Sequence, residues 1–298
     1  MRFWSRPPAL LTSAAVMGTI LAGCGGDEAS SGDLPTVAAS FYPLAFAAEQ
    51  IGGGDVRVVN LTSPGVESHD LELTPRQVAE IAAADLVVYE RGFQPSVDEA
   101  VDQNAGDARV EVTEVVPLED EHGDLAGDPH VWLDPTLLAR IADAVADGLA
   151  AAVPASADAF RERADALVAE LADLDEEFST GLGQCERNVV VTTHEAFGYL
   201  AHRYGLEMVG ISGLSPDAEP SPARLAEVGE VIADEGVTTV FYERLVSPAV
   251  AETLADDLGV VTAVLDPIEG LTDETEDEDY FTLMRANLGA LEEANGCT

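Results

Sequence analysis

Short β-rich runs alternate with helical segments along almost the whole chain, and this alternation most restricts what it can fold into. Thr36 to Ser40, Val56 to Thr62, Asp85 to Tyr89 and Arg109 to Val112 are short, β-branched and bounded by Gly, Pro or acidic residues, as strands are. Between them, Leu44 to Ile51, Pro75 to Ala83 and Pro95 to Asn104 have helical composition, and Pro75 and Pro95 each suit a first helical turn. The second half repeats the scheme, with strand-like runs at Asn188 to Thr193, Glu207 to Ile211, Val237 to Tyr242 and Val260 to Leu265. Its helices are expected at Glu195 to Tyr204, Pro222 to Asp234, Pro248 to Leu258 and Tyr280 to Ala294. Alternation of this kind implies parallel sheets covered by helices. In the middle, Pro135 to Ala152 reads as one helix and Ala155 to Phe178 as a longer one, marked by Phe160, Leu167, Leu171 and Leu174. The expected architecture is α/β: two Rossmann-like lobes with parallel sheets, at 35–153 and 184–298, joined by a long connecting helix within 154–183. A chain of 298 residues, 47% of them hydrophobic, has the length and the apolar content for two such cores.

The N-terminus has a different character. Arg2 and Arg6 precede an apolar stretch from Ala9 to Leu21, the length of a signal-peptide core and short for a membrane span. It ends in Leu21-Ala22-Gly23-Cys24, which resembles a bacterial lipobox and implies a signal peptide over 1–23 with a lipidated Cys24 as the first mature residue. The Gly-, Ser- and acid-rich residues that follow read as a flexible tether, 24–34. The expected location is extracytoplasmic, anchored to the cell membrane by lipid. Setting Cys24 aside leaves Cys185 and Cys297, an even number in an oxidising compartment. A disulfide between them would pin the last helix near Cys185; two free thiols are the alternative.

Charge narrows the partners. The chain carries 14 basic and 56 acidic residues, a formal −42, and every basic residue is arginine. Removing 1–23 would take away Arg2 and Arg6 and no acid, so 12 − 56 = −44 would remain. Such a surface repels nucleic acid and anionic lipid. It serves either as a cation-attracting field or as an adaptation to high salt.

Five histidines are present, His69, His122, His130, His194 and His202, and no pair has a local metal-ligand spacing. Their places along the chain are more telling. In open α/β sheets, ligands bind beyond the carboxyl ends of the strands. His69 follows the second strand-like run, His194 directly follows the fifth, and His130 sits in a Gly127-Asp128-Pro129 loop before a helix. Glu243 and Asp266 directly follow the seventh and eighth runs. His202 lies within an expected helix and His122 in an acidic loop, so neither reads as a ligand.

Four segments follow one another in order: Gly65-Val66-Glu67-Ser68-His69-Asp70 through Leu73-Thr74-Pro75 to Ala84-Asp85-Leu86-Val87; Asp128-Pro129-His130-Val131-Trp132-Leu133-Asp134-Pro135; Thr192-Thr193-His194-Glu195-Ala196-Phe197-Gly198-Tyr199 with Arg203-Tyr204-Gly205-Leu206 behind it; and Leu265-Asp266-Pro267-Ile268-Glu269-Gly270. Together with the loop Ser215-Pro216-Asp217-Ala218-Glu219-Pro220-Ser221, this ordered set resembles the zinc/manganese class of solute-binding proteins of ABC importers, the ZnuA/TroA-like family.

The resemblance implies a metal site in the interlobe cleft, with His69 and His130 from the first lobe and His194 from the second. The fourth ligand would be a carboxylate of the last segment. Asp266 is the first expectation, because it directly ends its strand, and Glu269 is the reserve. Glu243 is expected to orient the C-terminal lobe rather than to bind metal. Three imidazoles with one carboxylate suit tetrahedral zinc, whereas manganese-type relatives replace the third histidine with a carboxylate. The expected cargo is therefore Zn2+, with Mn2+ the alternative. Many zinc members carry a long His-rich loop before the second ligand; here Pro117 to Asp128 is short and acidic, with only His122. The implied function is to capture the ion and deliver it to an ABC importer permease with its ATPase, as a monomer and not as an enzyme. A metallochaperone or adhesin would use the same binding chemistry. A zinc hydrolase, with Glu195 or Glu243 as base, would need an open coordination position.

Overall fold

The computed structural model describes residues 34–118, 125–216 and 218–298. The expected signal peptide, the lipidated Cys24, most of the tether, His122 and Asp217 lie outside the described residues. Among the described residues, no helix is long and apolar enough to cross a membrane.

Each half forms one four-stranded parallel sheet, and the two share a topology. The first contains β1 (Thr36–Ala39), β2 (Arg57–Asn60), β3 (Leu86–Tyr89) and β4 (Arg109–Glu111) in the order β2-β1-β3-β4. The second contains β5 (Val189–Thr192), β6 (Glu207–Gly210), β7 (Thr239–Tyr242) and β8 (Val261–Val264) in the order β6-β5-β7-β8. In register, Val37 pairs with Val58 and Leu86, and Val191 with Val209 and Val240. Chain direction across each sheet reverses between its first and third strands. That switch point opens the crevice at the carboxyl ends where ligands bind in such sheets.

Helices α1 (Tyr42–Gly52), α2 (Pro75–Ala83), α3 (Pro95–Asn104) and the single-turn α4 (Val112–Val115) belong to the first half. After α5 (Pro135–Ala152) and α6 (Ala157–Gly181) come α7 (Gly198–Tyr204), α8 (Pro222–Glu235), α9 (Ala249–Leu258) and α10 (Tyr280–Asn295). Local chemistry sets their starts. Thr74 and Gln77 form a reciprocal capping box at α2, and the Asp134 carboxylate caps α5 ahead of Pro135. One expected helix starts late: Glu195 to Ala196 turn the chain instead, with Glu195 N–H donating to Gly213 O and Ala196 N–H to His194 O, so α7 begins only at Gly198.

The connecting helix α6 has 25 residues, about 37 Å at 1.5 Å per residue. It packs along α5, and its buried stripe is Phe160, Ala164, Leu167, Leu171, Leu174 and Phe178. One hydrophobic cluster runs through both halves, from Phe41 and Trp132 through Phe160 and Phe178 to Tyr199, Leu265, Tyr280 and Met284. Smaller clusters, around Tyr89 and Ile81 in one half and Val191 and Ile232 in the other, cover the outer sheet faces. The lobes thus share a core as well as a connecting helix. Cys185 and Cys297 form a disulfide that ties the end of α10 to the segment after α6.

Candidate metal centre

Four side chains from four separate segments converge between the lobes: His69, His130, His194 and Glu269. One ligand atom from each lies within 4.8 Å of the other three.

His69 sits in the turn between β2 and α2. Glu67 shapes that turn by accepting the backbone N–H groups of His69 (2.9 Å) and Asp70 (3.1 Å). The Phe93 ring stands edge-on to the imidazole, with centroids 4.6 Å apart. His130 is fully buried, and one oxygen of Asp128 accepts both its backbone N–H (2.9 Å) and its Nδ1–H (2.7 Å). A single carboxylate thereby fixes both the backbone and the ring. Gly198 leaves room for it, since a Cβ there would collide with Asp128 Oδ2. His194 ends β5 at the switch point. Glu243, from the end of neighbouring β7, receives its Nδ1–H at 2.7 Å and the Thr193 hydroxyl at 3.1 Å. In both buried histidines Nδ1 is committed to a carboxylate, which leaves Nε2 as the atom that can bind an electrophile.

Glu269 lies among the three rings. Its Oε1 is 3.3 Å from His69 Nε2, 3.3 Å from His130 Nε2 and 3.6 Å from His194 Nε2. The Nε2 atoms of His130 and His194 are buried and make no hydrogen bond of good geometry. Zinc bonds of about 2.0–2.1 Å in a tetrahedron require ligand atoms about 3.3–3.4 Å apart. The three separations from Glu269 Oε1 lie close to that edge length, and the donor set, three imidazole nitrogens and one carboxylate oxygen, suits zinc.

The electrostatics agree. Burial would depress the imidazole pKa of His130, but the Asp128 and Glu269 carboxylates outweigh it and raise the value. For His194 burial is likewise outweighed, here by Glu243 and Glu269, and the pKa is pushed up to about 10. Glu269 is fully buried, which alone would favour its neutral form; the three imidazoles of His130, His194 and His69 around it instead hold it well below the usual carboxylate range. The pocket is therefore built around a negative centre that attracts a proton or a cation.

The structure brings together the three histidines singled out from sequence and, with them, the reserve carboxylate Glu269 in place of the first expectation, Asp266. Asp266 does not reach the cluster. Its Oδ1 accepts the Ile268 N–H at 2.8 Å and its Oδ2 pairs with Arg244 at 3.2 Å, so its side chain is spent on shaping the loop. Ile268 adopts a left-handed φ of 58°, and the resulting turn aims Glu269 into the cleft. His202 lies in α7, outside the cluster. Asp128 and Glu67 were not singled out from sequence; a carboxylate two residues from each of two ligands was the available signal. Glu243, expected to orient the lobe, orients the ring of His194.

Residues 37–294 match the family model described as ZnuA, zinc-uptake complex component A, periplasmic. The chain is 35% identical over 301 aligned positions to the zinc-binding lipoprotein AdcA of Streptococcus pneumoniae, with 95% of this chain and 60% of that protein covered. It is 35% identical over 300 positions to the high-affinity zinc uptake system protein ZnuA of Bacillus subtilis, covering 92% of this chain and 93% of that one. The chain thus spans three-fifths of AdcA and nearly all of the Bacillus protein. Among solved structures, the Zn(II)-bound ZnuA-like domain of Streptococcus pneumoniae AdcA superposes with a TM-score of 0.76 at 36% identity, covering 89% of this chain and 99% of that one. The laminin-binding protein Lmb of Streptococcus agalactiae, described as bifunctional with adhesin and metal-transporting activity, gives 0.79 at 31% identity, covering 87% and 99%.

Proposed function

We propose that this chain, which belongs to the ZnuA family of zinc-uptake complex component A proteins, is an extracytoplasmic solute-binding protein that captures zinc and hands it to an ABC importer permease driven by its ATPase. His69, His130, His194 and Glu269 are the ligands in this reading, and zinc is cargo rather than a cofactor. One observation carries it: three Nε2 atoms stand 3.3, 3.3 and 3.6 Å from one carboxylate oxygen, close to the ligand–ligand separation that tetrahedral zinc requires. Three nitrogen donors disfavour manganese, which prefers oxygen. Glu269 fills the position that a hydrolytic zinc would keep open for water, which favours binding over catalysis.

The remainder of the reading follows from the same premise. Cys24 carries the lipid anchor, 24–34 is the tether, and the lobes at 35–153 and 184–298 act as one monomeric capture unit around the segment 154–183. The Lmb neighbour's described adhesin activity makes a laminin-binding assay worthwhile, because the site chemistry is common to both uses.

The direct test is elemental analysis of protein purified without added metal, followed by competition between zinc and manganese. One equivalent of zinc that manganese fails to displace is expected. Protein that carries no zinc when offered both ions, or that prefers manganese, overturns the reading. Membrane partitioning of Cys24→Ser against the unaltered protein tests the anchor, with the variant expected in the soluble fraction.

A further inference from the structure

Glu269 belongs by sequence to the C-terminal lobe, in the loop after β8, yet the main chain of that loop is held by the other lobe. Pro267 O accepts the Trp132 indole N–H at 2.7 Å. Glu269 O accepts the Ser68 hydroxyl at 3.1 Å and the Tyr42 N–H at 3.4 Å. Leu271 O accepts the Gly65 N–H at 2.7 Å. Within its own lobe the loop is anchored at its root: Asn287 bonds both the N–H and the C=O of Asp266, and Asp266 Oδ1 holds the Ile268 N–H. Between root and tip lies Ile268, buried and β-branched, at a φ of 58°. Such a residue persists in the left-handed region only where its surroundings over-determine it.

From this we infer that Trp132, with Ser68 beside it, is a positioning residue for the fourth ligand. The inference rests on the reading of Glu269 as a zinc ligand. Trp132 is fully buried and serves as a bracket between the lobes: its N–H holds Pro267, and its own carbonyl accepts the Tyr280 hydroxyl of α10 at 2.6 Å. The ligand set therefore divides three to one in mechanical terms. His69, His130 and the docked Glu269 ride with the N-terminal lobe, and only His194 rides with the other. A separation of the lobes that keeps the loop docked withdraws one imidazole; release of the loop from Trp132 and Ser68 withdraws the carboxylate as well.

A double-mutant cycle on zinc dissociation, followed by chelator competition in stopped flow on the full chain, separates positioning from general support. Trp132→Phe keeps an aromatic ring against Phe41, Phe93 and His130 and removes the donor together with part of the indole's volume, a packing loss that acts equally with or without the Glu269 carboxylate and so cancels in the cycle. It should speed zinc release about tenfold, the factor that corresponds to one lost hydrogen bond. In a Glu269→Ala background the same change should add nothing beyond that packing loss, because the carboxylate it positions is gone. Ser68→Ala, a milder change at the same loop, should show the same loss of effect in that background. Effects that multiply across the two backgrounds, or no change in release from either substitution, overturn the inference while leaving Glu269 a ligand. If Glu269→Ala alone leaves release unchanged, the ligand assignment itself falls, and the positioning role falls with it.

Discussion

The Nδ1 of His194 lies 2.7 Å from a carboxylate oxygen of Glu243, on the side of the ring that faces away from His69, His130 and Glu269. The two residues end neighbouring strands, β5 and β7, so the sheet itself sets the contact. Glu243 fixes which nitrogen carries the proton and raises the basicity of the other. Glu243→Gln should therefore weaken zinc binding by about 10–100-fold, the usual cost of losing such a partner, with little change in the fold. Competition against a chromogenic chelator, alongside a circular dichroism spectrum, checks both halves of this expectation. Unaltered affinity would mean that the strand ends alone orient the ring.

Zinc binding should release protons at neutral pH. His194, raised from 6.5 to about 10, holds a proton at pH 7 in the metal-free protein, the His130 pKa is shifted in the same direction, and an imidazole must lose its proton before Nε2 can coordinate. Affinity should thus keep rising with pH from about 5 towards 10, instead of levelling off just above the ordinary imidazole range. A raised pKa also stabilises the metal-free fold: that contribution is complete below about 6.5 and is lost as pH climbs through about 10. The metal-free Tm should fall over that window, and the zinc-loaded Tm should hold. Calorimetry in two buffers of different ionisation enthalpy reads the proton release directly, and identical binding enthalpies in both would refute it.

The sequence already contained most of the scaffold. All eight strand-like runs became strands to within a residue or two, because β-branched runs between Gly, Pro and acidic breakers have few other options. Strand order was not legible, since β1 and β3 pair across an intervening strand and two helices, and no local pattern records that. The three histidines could be found because each follows a strand or opens a helix on the ligand side of its sheet. The choice between Asp266 and Glu269 could not be made in the same way. Proximity to the strand end favours Asp266, but the outcome depends on Ile268 taking a left-handed φ, a conformation that a β-branched residue does not announce. Asp128 escaped notice because its role exists only once His130 Nδ1 is turned towards it.

Glu90, just past β3, should be a source of instability at high pH. It is buried, and neither of its oxygens has a hydrogen-bond partner among the described residues. Burial pushes its pKa well above the usual range, and the nearby Asp128, Glu111 and Asp98 add to the shift. The fold is therefore unpenalised while Glu90 is neutral, below about pH 4.5, and loses stability as pH rises through the raised value. Glu90→Gln should raise Tm by roughly 2–4 °C at pH 8 and leave it almost unchanged at pH 4.5. A lower Tm for the variant at pH 8 would show that the charged form has a partner.

Loss of the Cys185–Cys297 disulfide should reduce stability without harming the metal centre. The bridge closes a span of 112 residues, for which chain-entropy arguments and measured precedents give about 2–5 kcal/mol. It lies before the start of β5, whereas His194 lies past that strand's end, so the two features occupy opposite edges of the sheet. The end of α10 also keeps other ties, with Asn295 O accepting the N–H groups of Glu186 and Arg187. Cys185→Ser/Cys297→Ser protein should therefore melt lower in denaturant titration and bind zinc within about twofold of the parent, a difference of under 0.5 kcal/mol. A tenfold loss of affinity would show that the two edges communicate.

His69 and Glu269 approach to 3.3 Å although 200 positions separate them. A polypeptide emerges from its N-terminus, so the first lobe and two of the imidazoles are available long before Glu269 is made. Domains generally fold as units during synthesis. A nascent or prematurely ended chain thus offers at most an incomplete cage that lets the ion go. Firm retention of zinc is in this sense a receipt for the whole stretch between His69 and Glu269, issued only to molecules whose translation has passed the last of the four ligands.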